Sequence, residues 1–170
     1  MARGSLQMKK RYIGAFLAAA AAGTLLHFAY DVLPVPLVGL FAPVNESVWE
    51  HLKLLFWPVL LCGAWLARGK EDAQRAWSGI LAALLCMPVW LLGAYYALLA
   101  GFGVSALWLD IALYVLVLAG GASMAYRMER SGRWGFLAGV MVLAVGLYGA
   151  ALILFTLAPP QLPVFLPPGG

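Results

Sequence analysis

The chain has 170 residues, is 64% hydrophobic and only 11% charged, and carries a net charge of +4 with mean hydropathy +0.91. A soluble domain carries about 25% charged residues, so a purely soluble core is excluded and lipid must be part of the solvent. The basic residues form short clusters between apolar runs, a topology signal rather than a phosphate-binding stripe, so no nucleic-acid partner is expected.

Met1 to Gln7 is uninformative, and Met8-Lys9-Lys10-Arg11 reads as a natural start, so residues 1–11 are expected to be a cytoplasmic N-terminus. Tyr12 to Leu33 has about the 20 residues that cross a bilayer as helix. The rival reading, a signal peptide with cleavage near Ala18 to Ala22, is disfavoured because the apolar run continues past the alanines. Pro34, Pro36 and Pro43 break this helix and make a short uncharged loop. A second span runs from near Asn45 to about Ala67, followed by a loop carrying Arg68, Lys70, Glu71, Asp72 and Arg75.

The third span covers about Ala76 to Ala100, with a kink expected at Pro88. After the Gly101-Phe-Gly103 turn comes a fourth span, about Ser105 to Tyr126, closed by Arg127, Arg130 and Arg133. The fifth span is about Trp134 to Leu157. The tail, residues 158–170, is proline-rich and uncharged, and is expected to fold over the outer mouth of the site described below. Cys62 and Cys86 lie inside apolar runs without a C-x-x-C, and read as buried thiols.

The expected fold is all-α: one five-helix transmembrane bundle over residues 12–157. All loops with Lys or Arg fall on one side, which sets the N-terminus in the cytoplasm and the C-terminus outside. Trp65, Trp77 and Trp134 then mark the inner interface, and Trp49 and Trp108 the outer. Gly135-x-x-x-Gly139 is a small-x-x-x-small pattern that suits helix packing or a homo-oligomer.

With this topology the remaining ionisable residues gather at the outer side. His27 and Asp31 end the first span, Glu46, Glu50, His51 and Lys53 open the second, and Asp110 lies near the start of the fourth. An ionisable group inside the membrane costs about 2.5–3.5 kcal/mol on insertion scales. His27 and Asp31, four apart, share a helix face. If the second helix begins at Asn45, Glu50 and His51 reach a common site, while Glu46 and Lys53 sit at its rim and Glu46 points about 140° from His51. Four carboxylates against one lysine leave the cluster near −3 with neutral histidines, an arrangement that calls for protonated carboxylates, charged histidines or a bound cation.

The bland reading is that Asn45 or Ser47 caps a helix, Ser47 to Glu50 forms a capping box, Glu46 and Glu50 please the macrodipole, and Lys53 pairs with Glu50. The sharp reading is a divalent metal, zinc first, on His27, His51, Glu50 and Asp31, with a free carboxylate among Glu50, Asp31 and Asp110 as general base. It implies a membrane hydrolase acting on a lipid or lipid-linked substrate. The alternatives are a small transporter or proton relay, and a structural membrane protein with a polar packing cluster.

H-F-x-Y-D at His27 to Asp31 and A-P-V-N-E-S-V-W-E-H-L-K at Ala42 to Lys53 resemble an uncharacterised family of small bacterial multi-helix membrane proteins with an N-E-S-x-W-E-H-x-K signature. The resemblance covers the first two spans and implies a fold and a bacterial inner-membrane location, but no activity. It marks Asn45, Glu46, Trp49, Glu50, His51 and Lys53 as one unit. The cluster is also loosely similar to the His/Asp zinc sites of seven-span intramembrane hydrolases such as the alkaline ceramidases.

Overall fold

A computed structural model describes residues 2–104 and 106–167, in which the fold is all-helical. Met1, Ser105 and residues 168–170 of the tail, which figure in the expectations above, lie outside the described residues. The helices are α1 (Ala2–His27), α2 (Ala29–Val32), α3 (Pro36–Gly39), α4 (Val48–Ala67), α5 (Ala73–Tyr96), α6 (Leu107–Ser131) and α7 (Ala138–Leu157). A π-helical turn, Ala97–Gly101, extends α5, and 3-10 turns at Gly135–Leu137 and Pro163–Phe165 flank α7.

Four stretches are long and apolar enough to cross a membrane: Gly4–Val32, Ala73–Gly101, Leu107–Ser131 and Gly135–Leu157. Residues such as Leu25, Leu61, Val89, Leu116, Val140 and Leu147 point outward, as lipid-facing side chains do. The chain is therefore a multi-pass membrane protein. α4 has the length to span but carries Glu50, His51 and Lys53 in its first two turns, and it is not one of the four.

α4 and α5 form the centre. α5 packs on α4, α6 and α7, and α1 packs on α4 and α6. The core between them includes Leu52, Leu55, Phe56, Ile80, Leu84, Met87, Leu118 and Leu152. Glycine allows the closest approach: a Cβ at Gly79 of α5 would lie 2.5 Å from the Ala125 carbonyl oxygen of α6. Gly139, by contrast, faces open space and takes no part in internal packing.

The boundaries have local causes. Val32 ends the first helical stretch because Pro34 disfavours the helical region for Leu33, which sits at φ −136°, ψ 83°. Pro36 then opens α3 at its first position, where a missing N–H costs nothing. Gly132 closes α6 in the left-handed conformation at φ 65°. α5 runs through Pro88 and α4 through Pro58 as continuous helices.

One end of the bundle is pinned by a charge cluster. Tyr12 donates to Glu129 Oε2 at 2.7 Å, and Lys70 Nζ lies 2.5 and 2.7 Å from the two Glu129 oxygens. Arg11 donates to the Leu66 carbonyl at 3.1 Å, satisfying an end carbonyl of α4, and lies over the Trp65 ring. At the other end stand the C-terminus of α1, the N-termini of α4 and α6, and the C-terminus of α7. Tyr114 Oη of α6 lies 3.5 Å from the Leu54 carbonyl oxygen, and Thr156 of α7 reaches Glu50.

A candidate metal centre and the lysine–glutamate pair beneath it

The site is built on the connection from α3 to α4. Ser47 is the N-cap of α4: its backbone is extended and its Oγ accepts the Glu50 amide at 3.3 Å. Half of the expected capping box is present. The Glu50 carboxylate does not return to Ser47; the Ser47 amide goes to Asn45 Oδ1 at 2.9 Å instead. Glu50 Oε2 accepts the Val44 amide at 2.9 Å, three residues further back.

Glu50 and Lys53 form a buried pair, with side chains 3% and 0% exposed and Nζ 2.6 Å from Oε2. Lys53 Nζ also donates to the Gly39 carbonyl at 2.7 Å and the Ala42 carbonyl at 3.2 Å. An ammonium has three donors, and all three are used. Thr156 Oγ1 lies 2.9 Å from Glu50 Oε1 and 2.8 Å from the Leu152 carbonyl oxygen, and its single proton serves one at a time. Lys53 is thus not at a rim; it lies under the connection and holds it down.

His27, Glu46 and His51 converge. Among the described residues these three offer ligand atoms that all lie within 4.8 Å of one another. The His27 and His51 ring centroids are 5.2 Å apart. His51 Nδ1 lies 2.8 Å from the Ser47 carbonyl oxygen, which places a proton on Nδ1 and turns Nε2 toward the group. That Nε2 is 3.4 Å from Glu46 Oε2. His27 Nδ1 is buried without a hydrogen-bond partner among the described residues.

Glu46 overturns one sequence expectation. The angle of 140° assumed a helix from Asn45, but α4 starts at Val48. Glu46 lies in the non-helical connection, which curls back so that its carboxylate meets His51 rather than pointing away.

Asp31, Glu50 and Asp110 do not join this group. Asp31 and Asp110 are exposed, the latter on the wall of a separate cavity of about 240 Å³ with Tyr95 and Leu113. The excess negative charge expected of one cluster is divided: Glu50 is neutralised by Lys53, and Glu46 faces two imidazoles. Cys62 and Cys86 are free and half-buried.

The tail is docked. Phe165 is buried, with ring centroids 4.9 Å from Trp49 and 5.3 Å from Phe155. Trp49 stands next to Glu50 in α4, so the tail covers the first turn of the helix that carries the site.

Sequence reasoning missed Thr156, the partner of Glu50, although it is a hydroxyl in the last turn of an otherwise apolar helix. It also missed the Tyr12–Lys70–Glu129 cluster. The signal there was an acid among the arginines at the end of α6.

Two imidazole nitrogens and a carboxylate are a donor set that suits zinc with an open fourth position. Tetrahedral ligands at about 2.0–2.1 Å from the ion are about 3.4 Å from one another, the spacing already present between His51 Nε2 and Glu46 Oε2. The orphaned His27 nitrogen fits the same assignment.

No curated protein and no solved structure matches the chain. A family model matches residues 2–168, and the chain belongs to that family, a family of unknown function (DUF6512).

Proposed function

We propose that this protein is a five-span enzyme of the bacterial inner membrane that holds a zinc ion on His27, Glu46 and His51 at its extracytoplasmic end and hydrolyses a lipid or lipid-linked substrate there. α4 is the span that joins the four long apolar stretches, its polar first turns being covered by the α3–α4 connection and the tail. The clustering of Lys and Arg toward the opposite end supports this orientation. The N-E-S-x-W-E-H-x-K stretch, Asn45 to Lys53, is the sequence unit of the site.

The observation that carries the reading is the convergence of three ligand atoms from α1, the connection and α4 within 4.8 Å. A bound metal would polarise a carbonyl or phosphoryl oxygen and lower the pKa of a bound water. Ser47 orients His51 through its carbonyl. Glu46, with its side chain 69% exposed, faces the side from which a substrate arrives. Glu50 is consumed by Lys53, Val44 and Thr156 and is not free to act as a base. Asp31 is the remaining acid of the α1–α2 region for that role.

A proton relay is less well supported. Between the two polar ends lie Leu52, Leu55, Ile80, Leu84, Met87 and Leu118, none of which carries a proton. The cavity among α1, α4, α5 and α6 is about 30 Å³ and is lined largely by apolar groups such as Ala15, Val59 and Leu118. A charged His51 paired with Glu46 would also give the 3.4 Å separation, and metal content separates the two readings. Protein purified without chelators is expected to carry about one zinc per chain; protein that neither carries nor takes up zinc refutes the proposal.

A further inference from the structure

The three proposed ligands are not held alike. His27 ends α1 and His51 lies in the first turns of α4, so helix packing fixes both. Glu46 lies in a connection with no regular structure. Whether its carboxylate meets the imidazoles depends on what fixes the backbone from Gly39 to Ser47.

That backbone is tied down from beneath by one ion pair. Lys53 Nζ takes the Gly39 and Ala42 carbonyls at 2.7 and 3.2 Å, and Glu50 Oε2 takes the Val44 amide at 2.9 Å. The three anchor points lie seven, four and two residues before Glu46. On either side of it, Asn45 Oδ1 and Ser47 Oγ accept the Ser47 and Glu50 amides and close the turn onto α4. Thr156 braces Glu50 from α7. The pair therefore uses its hydrogen-bonding capacity on the connection as well as on itself, which a pair serving helix stability alone would not need.

We infer that Lys53 and Glu50 are positioning residues: the pair fixes the α3–α4 connection so that Glu46 meets His27 and His51. This rests on the proposed metal centre for its functional meaning, while the positioning itself can be read without metal. Two variants weaken the device differently. Lys53→Met with Glu50→Met removes both charges. Val44→Pro removes the amide that Glu50 holds and leaves every charge in α4 intact.

The test measures zinc affinity and the Co²⁺ absorption spectrum of purified wild type, of both variants and of Glu46→Gln. Both variants are expected to bind zinc about 10–100-fold more weakly, with a spectrum shifted toward that of Glu46→Gln. Glu129→Gln, which loosens the opposite end of the bundle, is expected to leave zinc affinity unchanged. Unchanged affinity in the double variant and in Val44→Pro overturns the inference, as does an equal loss in Glu129→Gln. If wild type binds no zinc, the proposed function fails, and the positioning is read from amide hydrogen exchange of residues 45–47. Exchange at least about tenfold faster in the variants upholds it; unchanged exchange overturns it.

Discussion

Lys53→Met should be among the most damaging single changes in this protein, and Glu50→Met should partly repair it. Lys53 is fully buried and gives its three protons to Gly39, Ala42 and Glu50. Methionine keeps much of the stem and none of the donors. It leaves the Glu50 carboxylate buried with only the Val44 amide and Thr156 beside it. Removing one partner of a buried pair costs about 3–5 kcal/mol. Glu50→Met strands the ammonium instead, at a similar cost.

If the two changes were independent, the double variant would lose the sum, about 6–10 kcal/mol. It instead has no buried charge. What remains is the loss of partners at the Gly39 and Ala42 carbonyls and the Val44 amide, about 1–3 kcal/mol for each group that stays dry. We therefore expect the double variant to lie at or below the cost of the worse single, with a coupling of several kcal/mol. The assay is reversible unfolding in mixed micelles against SDS mole fraction, followed by tryptophan fluorescence. Additive losses would refute the claim that the two residues act as one unit.

Three other outcomes are expected. Glu129→Gln removes the carboxylate shared by Tyr12 and Lys70, and should cost about 1–3 kcal/mol in the same unfolding assay; no loss would mean that the cluster is idle. Phe165→Ala removes two aromatic contacts worth about 0.5–1.5 kcal/mol each, and should speed protease cleavage within residues 158–167; unchanged cleavage contradicts the docked tail. Gly139→Leu meets open space on α7 and should leave unfolding within about 0.5 kcal/mol of wild type; the homo-oligomer proposed through Gly135 and Gly139 further predicts a smaller particle on size exclusion, and an unchanged size argues against it.

The apolar runs made the long helices legible, and Pro34, Pro36 and Ser47 made the breaks between them legible. Ser47 as a cap and the Lys53–Glu50 spacing could be read directly from the chain. The place of Glu46 could not. A wheel angle holds only inside a helix, and a start at Val48 rather than near Asn45 removes Glu46 from the wheel altogether. Nor could the sequence tell a snorkelling lysine from a buried one. The acceptors that hold Lys53 are backbone carbonyls 14 and 11 residues away, and carbonyls leave no mark in a sequence. Thr156, 106 residues from Glu50, was hidden for the same reason of distance along the chain.

The central claim is that His27, Glu46 and His51 form one metal centre. Its most direct test is zinc stoichiometry in wild type, His27→Ala, Glu46→Gln and His51→Ala, purified side by side without chelators, with thermal unfolding as a check on folding. The account predicts about one zinc per chain in wild type and a large loss in each variant, Glu46→Gln included, with each variant still folded. Zinc retained in full by Glu46→Gln and both histidine variants, or absent from wild type under saturating zinc, would contradict it.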